Sequence, residues 1–436
     1  METLRPVEVK EFYIKRIASG MNKYFWDNIF SQIFNILKDK TILNSGESDL
    51  INAIKTGKIW YKDGAFRTKD RFSNSIAIVL EKMGAKYSRG AYYIDKVKIL
   101  PAYLNAISYA NARMQAVGSQ ISDFLFGLDT LLTKITFEDY ISSSVDLAFR
   151  KLQLDIIKSA QEKKVPVIEL GIVTPDIKIP RQKAKEFENY WKQQDKRAKL
   201  LQKLIEKSQK EGKDSIKLEE KLKELRKSSY INAPSYDVKI NDIALNQQTK
   251  KITEDYVYNL KYWVKKWEAK NIIKMRQDVA DMVQKGVRVP EITEYFEKRW
   301  KVAKDKAKFL AVNESHLAGS VIKATSYQDL GCNSFVWGRS SSKEKRKLHE
   351  EYYGETFTFD NPPIIDEKLG IRGLPRQIWN CKCHMFVKPP TLAEILDKTE
   401  EVRNAKRNIF TRLKYKITNS KQCNNSAWRY RRFGEG

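Results

Sequence analysis

Histidine and cysteine are scarce in this 436-residue chain, at three and four residues. No His-Glu-x-x-His pair, Gly-rich phosphate loop or Gly-x-Ser-x-Gly turn occurs, so no strong enzymatic signature is present and binding without turnover is the expectation. The cysteines show no early pairing pattern, which points to a reducing compartment rather than a disulfide-stapled fold. No apolar run approaches the length of a bilayer span, and the opening residues lack an apolar signal region. The expectation is therefore a protein that neither enters a membrane nor leaves by a standard signal. Acidic side chains are also in deficit, 54 against 81 basic, for a formal charge of +27. That imbalance implies a polyanionic neighbour, with nucleic acid the first choice.

What is present suits a globular, mostly α-helical α+β chain of two or three domains, with helical bundle regions and small β-hairpins; 42% of its residues are hydrophobic. Residues 1–100 alternate helix and hairpin signals. Asp63-Gly64 and Arg89-Gly90 each sit between short aromatic strands, and a helix over 75–83 ends at Gly84. The tyrosines and tryptophan here suit hairpin cores, with base binding as the alternative. Residues 101–182 are helical and end in a connector with three prolines. Residues 183–230 carry 15 basic and nine acidic side chains around leucines at helical spacing, which predicts a charged antiparallel helical hairpin. It is either a docking arm or a solvated helix pair.

Residues 240–390 hold the most informative block. Tyr256, Leu260, Trp263 and Trp267 form one helical stripe, and Ile272, Met275, Val279 and Met282 another. From Ala307, the spacing of Ala311, Ala318, Val321 and Thr325 puts Glu314 on a core-facing stripe beside Asn313. A buried carboxylate needs a partner, unless Glu314 lies at the stripe's edge in water. A strand over 333–337 follows, carrying Trp337. A capping-box pattern at 341–344 predicts a short helix that presents Arg346 and His349 on one face, closed by Gly354. Those two are the candidate partners of Glu314. Phe357, Pro362 and Pro363 follow, and the block closes on Asn380-Cys381-Lys382-Cys383-His384.

Read in order, this composite resembles the Mu F-type head morphogenesis domain of tailed phages, whose members end in an Asn-Cys-basic-Cys run. The resemblance covers 240–390 well and the rest in outline. It implies a small C-terminal α+β domain in a minor head protein, acting in procapsid assembly at the portal vertex and in DNA packaging or ejection. Implied partners are the portal, scaffold or major capsid protein and phage DNA, with no membrane. The implied location is the virion, and the host cytoplasm during assembly. Some relatives carry fused toxin or transferase domains, but the 53 residues after Cys383 are too few for one.

No cofactor is expected, with one open alternative. On a strand Cys381 and Cys383 would share a face, and with His349, His384 or Cys332 they can supply a structural zinc site. A C-x-C pair lacks the C-x2-C knuckle, however, and buried thiols are common small hydrophobes. The rival function is a metal-dependent nuclease or other DNA-processing enzyme, using Glu314, His349, Cys381 and Cys383. Residues 391–436 form a basic aromatic tail. Lys414, Lys416, Trp428, Arg429, Tyr430, Arg431 and Arg432 are the candidate DNA contacts, because cations neutralise phosphate while aromatic faces stack on unpaired bases. Docking to an acidic protein surface is the other reading of that tail.

Overall fold

A computed structural model describes residues 3–38, 48–132, 136–163, 165, 181–212, 214–232, 239–240, 243–245, 247–340 and 346–390. In chain order the elements are α1 (Glu11–Phe25), α2 (Ser31–Leu37), α3 (Asp49–Lys55), β1 (Ile59–Lys62), β2 (Ala65–Thr68), α4 (Asn74–Lys82), β3 (Lys86–Ser88) and β4 (Ala91–Tyr93). The long helices α5 (Pro101–Leu132), α6 (Ser142–Glu162), α7 (Arg181–Lys210), α8 (Ile216–Ile231), α9 (Gln247–Gln284) and α10 (Val289–Asp329) follow. The chain continues through β5 (Ser334–Gly338), α11 (Lys347–Glu351), β6 (Thr356–Thr358), β7 (Ile364–Asp366), β8 (Ile371–Arg372) and β9 (His384–Val387). The fold is thus mostly helical with small antiparallel sheets, as the composition and periodicity predict.

The chain divides into two compact units. One comprises 18–141 and 261–310. In it the two hairpins join into one sheet of order β1-β2-β4-β3. Asp63 and Gly64 (φ 52° and 75°), like Arg89 and Gly90 (φ 51° and 78°), are left-handed, which matches the twist of a tight hairpin. Phe66, Leu80 and Tyr92 are buried with Leu50, Ile54, Ile99 and Ala106 in one apolar cluster, so several of these aromatics serve as core. Tyr87, at 60% exposure, does not.

The other unit comprises 1–17, 142–260 and 311–436. Here α7 and α8 form the expected charged hairpin. The Tyr190 hydroxyl donates to the Ser229 carbonyl (2.8 Å), and the seam is narrow: Ile205 is buried while Leu204 is 43% exposed. A second sheet has the order β6-β5-β9, with Trp337 opposite Met385 and Phe335 opposite both Val387 and Phe357.

Three local expectations differ in the structure. The two stripes at 256–267 and 272–282 share one unbroken helix, α9, and the helix read from Ala307 begins already at Val289 as α10, because only Gly286 and Pro290 interrupt the run. Pro290 needs no hydrogen-bond partner in the first turn of α10, so it opens that helix. The short helix begins at Lys347 with Arg346 at its N-cap; the capping-box residues at 341–344 lie outside the described residues, as does nearly all of the proline connector. Cys381 and Cys383 precede β9 instead of lying on a strand, because Asn380 is left-handed (φ 60°) and turns the chain just before them.

From Leu310 to Tyr327, α10 is buried on almost every side rather than along one stripe. Small residues make this possible. Where Gly319 sits, a Cβ would come within 2.7 Å of Val9, so the N-terminal segment packs directly against the helix backbone. The Leu4 N–H donates to Val387 O at 2.7 Å, fastening that segment to β9.

Candidate functional site

The residues singled out at 313–383 come from four separate stretches of chain, and most of them meet. Asn313, on the buried half of α10, accepts the backbone N–H of Asn380 through its Oδ1 at 2.7 Å. Trp337, fully buried on β5, packs edge-on against His349 (5.2 Å between ring centres), Tyr352 and Phe357. Gly354 (φ 85°) closes the turn after α11, its N–H donating to Trp337 O at 2.9 Å. Pro362 and Pro363 are buried, and their carbonyls accept from Arg372 and from the Gly373 N–H.

At the centre stand His349, Cys381 and Cys383, with 5%, 6% and 3% of their surface exposed. His349 Nδ1 lies 3.5 Å from the Cys381 sulfur and 3.6 Å from the Cys383 sulfur. Its Nε2 is 3.2 Å from the Ile365 carbonyl oxygen. A carbonyl only accepts, so Nε2 carries the hydrogen and the Nδ1 lone pair faces the two sulfurs. All three donor atoms fall within 4.8 Å of one another.

The thiols share a proton unequally. Donation from the Cys383 thiol lowers the Cys381 pKa against the cost of burial, with backbone N–H groups, Arg376 among them, adding to the effect. The same contact, with burial, pushes Cys383 up. An anion held by hydrogen bonds in a buried site is charge-assisted and geometrically fixed.

Arg376 binds the loop together. Left-handed itself (φ 69°), it directs its backbone N–H to the Cys381 sulfur (3.4 Å) and its Nε to the Cys383 carbonyl (3.1 Å). Its guanidinium also lies 3.5 Å from Glu8, whose other oxygen is 2.9 Å from Lys323 Nζ and 3.6 Å from His384 Nδ1. Burial alone would raise the Glu8 pKa, but Lys323, His384 and Arg376 overcome it and hold the carboxyl down at about 2. This network escaped the sequence reading. Glu8 and Lys323 are 315 positions apart and belong to no local pattern.

Two expectations about partners change. Arg346 is exposed and donates to the Trp379 carbonyl at 2.9 Å, while His349 turns to the thiols, so neither bonds to Glu314. Both ring nitrogens of His349 are engaged, by the Ile365 carbonyl and the thiols, and Arg346 stands exposed at the N-cap of α11. Glu314 is nevertheless wholly buried, so the stripe reading holds over the solvated one. Its charge acts on Tyr256, whose hydroxyl pKa is raised chiefly by burial, against the lowering effect of its contact with Ser315 at 3.1 Å. His384, the weaker metal candidate, points to Glu8 and Arg376 and stays outside the thiol group, as does Glu314.

The tail candidates Lys414, Lys416, Trp428, Arg429, Tyr430, Arg431 and Arg432 lie outside the described residues. No family model, curated protein or solved structure matches the chain.

Proposed function

We propose that this chain is a non-enzymatic minor head protein of a tailed phage, acting at the portal vertex in procapsid assembly and in DNA packaging or ejection. One observation carries the reading most: the residues of the Mu F-type pattern, dispersed over about 70 positions, converge. Asn313, Trp337, His349, Asn380, Cys381 and Cys383 form one connected group, buried except at the Asn380 turn. That is expected of a pattern that specifies one folding module. The charge of +27 supports a polyanionic partner such as packaged DNA. Among the described residues no helix is long and apolar enough to cross a membrane.

Its mechanism is binding. The C-terminal module supplies a rigid contact for the portal or inner capsid, the α7–α8 hairpin supplies reach, and basic surface holds DNA. The nuclease alternative draws less support, since buried thiolate and imidazole donors suit soft metals better than the magnesium most nucleases use. Co-expression of the full chain with portal and scaffold proteins, followed by gradient sedimentation, is the test. The expected result is co-migration with portal-containing particles. A chain that stays at the top of the gradient and degrades DNA with a divalent metal would replace this reading with the enzymatic one.

A further inference from the structure

We propose that His349, Cys381 and Cys383 bind a zinc ion that locks α11 and the 376–383 loop against the β5 sheet. The inference rests on geometry and donor chemistry alone, and stands whether or not the chain belongs to a phage head.

The distances suit a shared cation. In tetrahedral zinc sites sulfur lies at about 2.3 Å and nitrogen at about 2.0–2.1 Å from the metal, which puts a sulfur and a nitrogen ligand about 3.5 Å apart. His349 Nδ1 is 3.5 Å and 3.6 Å from the two sulfurs. Hydrogen bonding alone explains this arrangement less well. The single Nδ1 lone pair can accept one S–H at full strength, yet two sulfurs approach it equally closely.

The surroundings suit zinc as well. The Ile365 carbonyl fixes the imidazole tautomer from behind, as an outer-shell acceptor does at metal-bound histidines. The Arg376 backbone N–H, at 3.4 Å, supports the Cys381 sulfur as a thiolate. Two thiolates and a neutral imidazole around a divalent ion sum to zero charge, which a buried site tolerates far better than a lone anion. Binding releases the thiol protons to solvent, and thiolate with imidazole selects zinc over magnesium or calcium. Three protein donors leave one position for water. With all three residues nearly inaccessible, the site is structural: its metal ties α11 to the loop that precedes β9.

The full-length protein, purified without chelator, should contain one zinc per chain by elemental analysis. Replacing zinc with Co2+ should produce thiolate-to-cobalt charge-transfer absorption and the strong visible bands of a tetrahedral ion. Cys381→Ser, Cys383→Ser and His349→Asn should each weaken Co2+ binding by more than ~100-fold, beyond the 10- to 100-fold typical of losing an outer-shell partner. His384→Asn, outside the group, should leave Co2+ binding within a few-fold. If the ligand variants do not fold, the wild-type protein still decides the matter: chelation should lower its melting temperature, and zinc should restore it. A protein free of zinc whose Co2+ form lacks charge-transfer bands, or one whose melting ignores chelator, overturns the proposal. So does a Cys381–Cys383 disulfide in protein purified under reducing conditions.

Discussion

The side-chain oxygen of Asn313 accepts the backbone N–H of Asn380 at 2.7 Å, joining a helix to a turn 67 residues later. This bond sets where Cys381 and Cys383 begin, because Asn380 is the left-handed residue that aims them at His349. Asn313→Leu removes this partly buried bond, and should cost about 1 kcal/mol in urea unfolding. Asn313→Asp keeps an acceptor and should cost less. The Leu variant should also expose both cysteines to faster thiol labelling in the native state, whereas labelling at the wild-type rate would detach the turn from that bond.

Glu8 should govern acid stability. Its folded pKa, about 2, lies below the ordinary value of 4.5, so the ionised form contributes stability that is complete above about pH 4.5. That contribution is lost as pH falls from there towards 2. It amounts to about 2–3 kcal/mol, after allowance for the part of the side chain still in water. Glu8→Gln should remove this portion of the acid dependence. At neutral pH it should cost about 3–5 kcal/mol, since Lys323, only 2% exposed, then keeps a buried charge without its carboxylate. Denaturant melts from pH 2 to 7 for both proteins would show it, and parallel curves would refute it.

Two glycines of the module should fail for different reasons. A Cβ at Gly338 would fall onto the Phe386 ring and within 3.0 Å of the His384 Cβ, so Gly338→Ala should cost about 1–3 kcal/mol through forced repacking. At Gly354 nothing lies within 4 Å, but φ is 85°. Gly354→Ala should therefore cost about 1–2 kcal/mol through backbone strain, and Gly354→Asn less. Thermal melts of the three variants separate the mechanisms, and equal losses for Ala and Asn at 354 would argue against strain.

DNA binding should be non-specific and steeply salt-dependent. If the protein contacts ~6–10 phosphates, affinity should fall by about three to five decades between roughly 50 and 200 mM salt. Removing the residues after Arg403 should flatten that slope, because the tail from 401 holds ten basic side chains against two acidic. Filter binding at several salt concentrations measures it, and an unchanged slope in the truncated protein would show that the charge acts from elsewhere.

Local pattern carried much of the fold. Asp63-Gly64 and Arg89-Gly90 announced both hairpins because few residue pairs tolerate two left-handed positions in succession. The α7–α8 pair was legible from leucine spacing and the break at Gly212, and the buried face of α10 from its small and apolar residues. The short strands β6 to β9 were not, since two to four residues cannot display a period. Gly286 and Pro290 marked a break correctly, but no local signal showed that each flanking pattern would run on into a helix of 38 or 41 residues.

The sequence by itself determined which residues carry the module, since Asn313, Trp337, His349, Asn380, Cys381 and Cys383 stand out by type and order. Only the tertiary structure decided what each one touches. His349 was expected to serve Glu314 and serves the thiols instead, because α11 starts at Lys347 and the Asn380 turn brings both cysteines beneath it. Glu8 was invisible until the N-terminal segment packed against α10, where burying Lys323 required a carboxylate. Helical and strand periods report burial within a few residues of chain. Pairing between charges hundreds of positions apart is a property of the packed core, where desolvation makes every partner matter.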